Sequence, residues 1–218
     1  MLENTVDRVV GQINGRIHAR AVKRLPDLVN DLLQEAIKSW AAHGWHTFDR
    51  TEDNCSCQLF RWLLDTVRSH PRFSVLDVNF QHVQLTPEML SGNTSVVAAG
   101  RPDLRISVRG RGVLLEAKRL SATPSLCRAY VDDGMARFVS AKYGADDGWG
   151  MMVGYVNGSS NSNVRSRVNT YVRRHPIMGV SHELGNSIIH TNGEWLRSSH
   201  HRSSGLSITL DHVWVRLP

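Results

Sequence analysis

Between residues 25 and 42 the apolar positions Leu25, Leu28, Val29, Leu32, Ala36, Ile37 and Trp40 recur at steps of three and four, which predicts a helix with one buried face. Pro26 suits its first turn and Gly44 its end. A second helix is predicted over 53–69, with Leu59, Phe60, Leu63, Leu64 and Val67 as its stripe and Pro71 beyond it. From residue 73 the period drops to two. Strands are predicted at 74–84, 102–109 and 112–118, the last two joined by the hairpin signal Arg109-Gly110-Arg111-Gly112.

Thr123-Pro124 then opens a third helix, which carries Leu126, Tyr130, Gly134, Phe138 and Ala141 on one side and stops at Gly144. A buried strand follows at 149–156. Residues 158–163 read as a polar loop, 164–174 as a basic helix, and 181–205, rich in Ser, Gly, His and Asn, as loop with little regular structure. Leu206, Ile208 and Leu210 alternate with polar residues as a half-buried strand does. This order of elements predicts an α/β or α+β core, built as a single domain over 1–218. Its parts are a core at about 52–156, a helical N-terminal part over 1–50 and an irregular C-terminal extension over 158–218.

Composition narrows the class. The chain has 218 residues, 41% of them hydrophobic and 21% charged, as an ordinary globular protein has. No apolar run approaches the length of a membrane span, and residues 1–7 lack the pattern of a secretory signal, so the expected compartment is the cytoplasm, with no membrane partner. Cys55, Cys57 and Cys127 include no Cys-x-x-Cys pair and are expected to be reduced thiols. A formal net charge of +6 favours polyanionic partners without specifying one.

The candidate chemistry sits where strand alternation makes charged residues converge. In 112–118, Glu116 and Lys118 fall on one face and Val113, Leu115 and Ala117 on the other. On the preceding strand Asp103 lies opposite Leu104, Ile106 and Val108, so pairing through the hairpin brings Asp103 beside Glu116 and Lys118. Two adjacent carboxylates repel and raise each other's proton affinity unless a cation sits between them, and oxygen ligands of this kind suit Mg²⁺, with Mn²⁺ as a substitute. Glu52, near the start of the second helix, can aim at the same strand ends. Glu35, on the first helix, competes for that role.

Pro102-Asp103, a twelve-residue gap and Glu116-Ala117-Lys118, flanked by a Glu-bearing helix and a following helix, resemble the PD-(D/E)XK nuclease superfamily, the fold of many restriction endonucleases. The element order over 52–156 is similar too. The resemblance implies an α/β restriction-endonuclease-like core, a central mixed sheet flanked by helices. It implies Asp103, Glu116 and the Ala117 carbonyl as metal ligands, Lys118 beside the attacking water and Glu52 as the helix-borne acid. Tyr130, Asp133 and Arg137 would then face the cleft. The Gln that some branches carry on that third helix is absent here. The expected activity is Mg²⁺-dependent hydrolysis of phosphodiester bonds, by a DNA endonuclease of a bacterial restriction or antiphage-defence type. It would work as a homodimer or beside partner subunits, with RNA as the alternative substrate.

Each signal has a plainer counterpart. Asp103, Glu116 and Lys118 can be a cross-strand ion pair on a surface hairpin, and Glu52 a helix-start acid favoured by the macrodipole. A non-catalytic nucleic-acid-binding module of the same fold is the main rival function. Arg109 to Val113 with Lys118 imitates a kinase glycine loop, but the third glycine and the later kinase motifs are missing. Arg165, Arg167, Arg173 and Arg174 form either a solvated helix face or a phosphate-tracking one, to which Arg101, Arg111 and Arg119 would add. Of the eleven histidines, six fall in 175–212 with no zinc spacing. The minority reading puts Ser199 to Arg202 near the cleft.

Overall fold

A computed structural model of the protein describes residues 24–44, 49–83, 87–91, 93, 95, 99–157 and 161–217. Residues 1–23 and 45–48 of the expected N-terminal part, residue 84 of the first expected strand and 158–160 of the expected polar loop lie outside the described residues. The elements are α1 (Leu25–Ala42), α2 (Glu52–Ser69), β1 (Asp77–Phe80), the short α3 (Pro87–Leu90), β2 (Leu104–Val108) and β3 (Arg111–Leu120). They continue with α4 (Pro124–Ala129), a π-helical segment (Tyr130–Met135), α5 (Ala136–Val139), β4 (Trp149–Asn157), α6 (Asn161–Arg174), β5 (Gly185–His190), β6 (Gly193–His201) and β7 (Ser207–Leu217).

The protein is α/β, with one seven-stranded mixed sheet in the order β1-β2-β3-β4-β7-β6-β5. The central strands β3, β4 and β7 run parallel, and antiparallel pairs flank them on both sides. Parallel strands are buried on both faces, and helices cover each one here. On one face α1 and α2 place Val29, Leu32, Leu33, Leu59 and Leu63 against Ile106, Leu115, Val153 and Val213. On the other, the π segment and α6 place Tyr130, Val131, Val164, Val168 and Val172 against Leu114, Met152, Leu210 and Trp214.

Local chemistry explains most boundaries. The Thr51 hydroxyl caps α2 by accepting from the Asn54 N–H, and Pro71 follows its end. Arg109 and Gly110, at φ 44° and 86°, make the two-residue turn with left-handed residues that a twisted hairpin needs. The third helix is shorter than its periodicity predicts. It ends at Val139, and the Tyr143 N–H reaches back to the Arg137 carbonyl at 2.9 Å. Its middle is a π turn, and Gly134 lets that turn lie on the sheet: a Cβ there would stand 2.5 Å from Met152 Cε and 3.4 Å from Lys118 Cγ. Of the strand expected at 74–84 the described residues form only β1: residues 74 and 75 turn after the 3₁₀ segment Pro71–Phe73, and Gln81, at φ 49°, leaves the extended conformation.

The C-terminal extension is not irregular. Residues expected as loop over 181–205 contain β5 and β6, and the strand expected at 206–210 runs as β7 from Ser207 to Leu217 between β4 and β6. The β6 alternation is hidden because its inward positions include the polar Ser198 and His200, which are buried and bonded to each other at 2.7 Å. Among the described residues, no helix is long and apolar enough to cross a membrane. All three cysteines are free.

Candidate active site

The site lies at the C-terminal end of β3, beside the parallel strand β4, where the ends of parallel strands open a crevice. Antiparallel pairing of Leu104 with Leu115 sets Asp103 next to Glu116. The Asp103 carboxylate accepts the Ala117 N–H at 2.7 Å, and its backbone carbonyl accepts the Gln81 N–H at 2.7 Å. Asp103 is thereby tied to both neighbouring strands.

Lys118 is the hub. Its ammonium donates to Glu52 Oε1 at 2.7 Å, Glu116 Oε1 at 2.8 Å and the Ala117 carbonyl at 2.8 Å. Glu52 arrives from the first turn of α2, and its other oxygen accepts the Arg119 N–H at 3.2 Å. Arg137 reaches in from α5 to donate to Glu116 Oε1 at 2.5 Å and to the Tyr143 hydroxyl at 2.9 Å. Glu116 Oε1 therefore carries two cations, while Glu116 Oε2 is buried with no hydrogen-bond partner among the described residues.

Burial pushes the Glu116 carboxyl up to about 7, helped by the Asp103 charge and opposed by Lys118 and Arg137. Burial also raises Asp103, against the Ala117 N–H bond and the Lys118 charge. For Lys118 burial disfavours the cation, but the charge and hydrogen bond of Glu116, together with those of Glu52, outweigh it, so the ammonium is held above its ordinary value. Arg137 is raised against its own burial, by Glu116 and Tyr143. Burial is thus the largest cause of the raised proton affinity of both carboxylates.

A hard divalent cation fits this donor set. Asp103 and Glu116 offer carboxylate oxygens, the unpartnered Glu116 Oε2 among them, and the Ala117 carbonyl retains a second lone pair. Among the described residues no three His, Cys, Asp or Glu side chains are gathered as a metal cluster. Glu52 faces Lys118 and the Arg119 amide instead.

The remaining expected site residues separate. Tyr130 does not face a cleft: it is fully buried, with its hydroxyl 2.8 Å from His212 Nδ1 and accepting from Trp214 Nε1 at 3.1 Å. Arg111 is at the opposite end of β3 beside the hairpin, roughly 17 Å along the strand from Glu116. Arg101 and Arg119 are exposed at the strand end that carries the site, and Glu35 faces Arg72 at 3.8 Å. On α6, Arg173 pairs with Glu183 at 3.0 Å and Arg165 lies 3.9 Å from Glu194, whereas Arg167 and Arg174 line an open groove.

The segment Ser199 to Arg202 is not at the cleft either. His200 is buried beside Ser198, and Arg202, also buried, donates to the carbonyls of Phe138, Tyr143, Gly144, Ala145 and Asp147 at 2.8 to 3.3 Å. Sequence reasoning missed Tyr143 as the support of Arg137 and Arg202 as the anchor of the 143–147 turn. A lone arginine in a polar stretch carries no periodic signal, and only the fold brings it under the 143–147 turn. Compared with protein-family models, with curated proteins and with solved structures, the chain matches none of them.

Proposed function

We propose that this protein is a Mg²⁺-dependent nuclease of the restriction-endonuclease-like class, hydrolysing phosphodiester bonds in DNA as first choice of substrate. One observation carries the reading. Asp103, Glu116, the Ala117 carbonyl and Lys118 converge at the C-terminal end of β3, and a buried carboxylate oxygen, Glu116 Oε2, is left without a hydrogen-bond partner among the described residues. A surface ion pair would not bury Glu116 to 1% exposure.

Asp103, Glu116 and the Ala117 carbonyl would hold the cation. When bound, Mg²⁺ supplies a Lewis acid that neutralises charge on a phosphate and makes water more acidic. The chain's own residues do the rest. Lys118, kept cationic by Glu52 and Glu116, holds a point charge beside the scissile phosphate, where negative charge grows in the transition state. Glu52 fixes the direction of the Lys118 side chain. Arg137 grips Glu116 Oε1 so that Oε2 keeps its orientation, and Tyr143 holds Arg137.

A second reading is a nucleic-acid-binding module of the same fold without catalysis. It is favoured by one specific fact: the Lys118 ammonium already has three acceptors in place. The experiment that separates the two is incubation of the purified protein with plasmid, linear DNA and RNA, with Mg²⁺ or with EDTA. Cleavage that needs Mg²⁺ and vanishes in Asp103→Asn and Lys118→Met supports the nuclease. Undiminished cleavage in either variant overturns the assignment, and Mg²⁺ or Mn²⁺ failing to bind by calorimetry favours the binding module. Cleavage of RNA alone makes it a ribonuclease. Assembly as a homodimer or beside partner subunits belongs to the same proposal, and light scattering on DNA tests it.

A further inference from the structure

The four arginines of α6 form one run in the sequence but two groups in the fold. Arg165 and Arg173 point to acids of the chain itself, at 3.9 Å from Glu194 and 3.0 Å from Glu183. Arg167 and Arg174 do not share those partners. With Asn163, Ser166, Thr170 and Tyr171 they line a groove of about 480 Å³, and Ala122, in the connection that follows β3, completes it. These six α6 positions recur at alternating steps of three and one, so that each has another three or four residues away on the same helix face, while Val164, Val168 and Val172 on the other face are buried against the sheet.

The groove is polar and cationic, and among the described residues no acidic side chain lines it. Asp132, on the neighbouring π segment, is held by Arg128 at 3.0 Å. Its location matters as much as its charge. Ala122 is four residues beyond Lys118, and α6 begins where β4 ends, so the groove opens at the same end of the parallel strands as the candidate active site. From Asn163 to Arg174 the helix extends it by roughly 16 Å.

We infer that the Asn163–Arg174 face of α6 is a phosphodiester-binding groove that leads a nucleic-acid backbone to Lys118. Guanidinium groups, hydroxyls and a side-chain amide are the groups that contact phosphate and sugar oxygens without reading sequence. Arg165 and Arg173 do not present their charge to the groove: Arg165 lies beside Glu194, and Arg173 is held by Glu183 and reaches the groove only by donating to the Thr170 hydroxyl at 3.2 Å. The inference rests on the nuclease reading for what the strand is led to, but its binding test stands apart from cleavage.

The test compares two double variants with the same change in net charge on the same helix, Arg167→Gln/Arg174→Gln and Arg165→Gln/Arg173→Gln. Each is titrated in EDTA, by anisotropy, against labelled duplex DNA, single-stranded DNA and single-stranded RNA at several salt concentrations. The groove variant is expected to lose about tenfold or more in affinity for at least one probe. Its log-affinity against log-salt slope should fall by about 1.8 on duplex or about 1.4 on single strands, the share of two phosphate contacts. The other variant should stay within about twofold of wild type. Equal losses in both variants, no loss in the groove variant, or no binding of any probe by the wild type overturns the groove. The probe that shows the loss identifies the strand type. Wild-type cleavage with unchanged binding by the groove variant sinks the groove alone, and selective groove binding with no cleavage of any substrate sinks the nuclease reading alone.

Discussion

The Lys118 Nζ lies 2.7 Å from Glu52 Oε1, so a single ion pair between residues 66 positions apart joins the first turn of α2 to the end of β3. Glu52 thereby acts on the site through Lys118. Glu52→Ala is expected to lower the cleavage rate by about ten- to a hundredfold, the usual cost of losing a group that orients a functional one, with the fold intact. Glu52→Gln, which keeps an acceptor, should recover part of that loss. Single-turnover kinetics with circular dichroism as the fold control checks it, and equal rates in all three proteins would remove Glu52 from the site.

Cation binding should be visible as stability. Glu116 Oε2 lacks a partner among the described residues, and a ligand that binds only the folded chain at a hundred times its dissociation constant adds about 2.7 kcal/mol. Urea unfolding in Mg²⁺ and in EDTA should differ by about this amount for the wild type. Glu116→Gln, which fills the same space without charge, should show no difference.

Stability should fall in acid for a reason remote from the site. His200 is fully buried, and burial, reinforced by His182, Arg202 and His201, lowers it to about 3, while burial puts His212 well below its ordinary value. Both are neutral when folded and bind a proton more readily when unfolded. The His200 contribution is therefore complete above about pH 6.5 and is lost as pH falls from there toward 3, with a slope of up to about 1.4 kcal/mol per pH unit, and His212 acts in the same direction. In urea midpoints measured from pH 7 to pH 4, His200→Gln should show a shallower loss than the wild type.

Arg202 should be costly to remove. Five carbonyl oxygens from the α5 end to the 143–147 turn converge on it, and Arg202→Ala would leave several of them buried and unpartnered. The expected loss is about 3 kcal/mol, or roughly 6–12 °C in Tm. Arg202→Lys should not restore it, because an ammonium lacks the planar fork that serves carbonyls on several sides. A Tm within two degrees of wild type, roughly the effect of half a kcal/mol, would contradict the anchor role.

How far the sequence carried depended on whether burial was apolar. The helices at 25–42 and near 52–69 were legible because the sheet face they cover demands a continuous apolar stripe, and the Arg109-Gly110 turn because only left-handed residues close it. Strand β6 was not legible, since Ser198 and His200 fill its inward positions, and their cost is met by partners as distant as Tyr130 and His212. The same network explains Tyr130. Its helical spacing put it on the apolar side with Phe138, where it lies; the resemblance put it in a cleft, whereas its hydroxyl is consumed inside the core.

By itself the sequence determined the helical and strand periods, the hairpin, and the alternation that sets Asp103, Glu116 and Lys118 together, because each follows from backbone geometry within about fifteen residues. Only the tertiary structure decided that Glu52 rather than Glu35 meets Lys118, that Arg137 grips Glu116, and that the four arginines of α6 divide into two paired ones and two in a groove. Those outcomes depend on which helix end meets which strand end and on which acids lie opposite each cation. Such distances are set by the packing of the whole sheet and not by the spacing of residues along the chain.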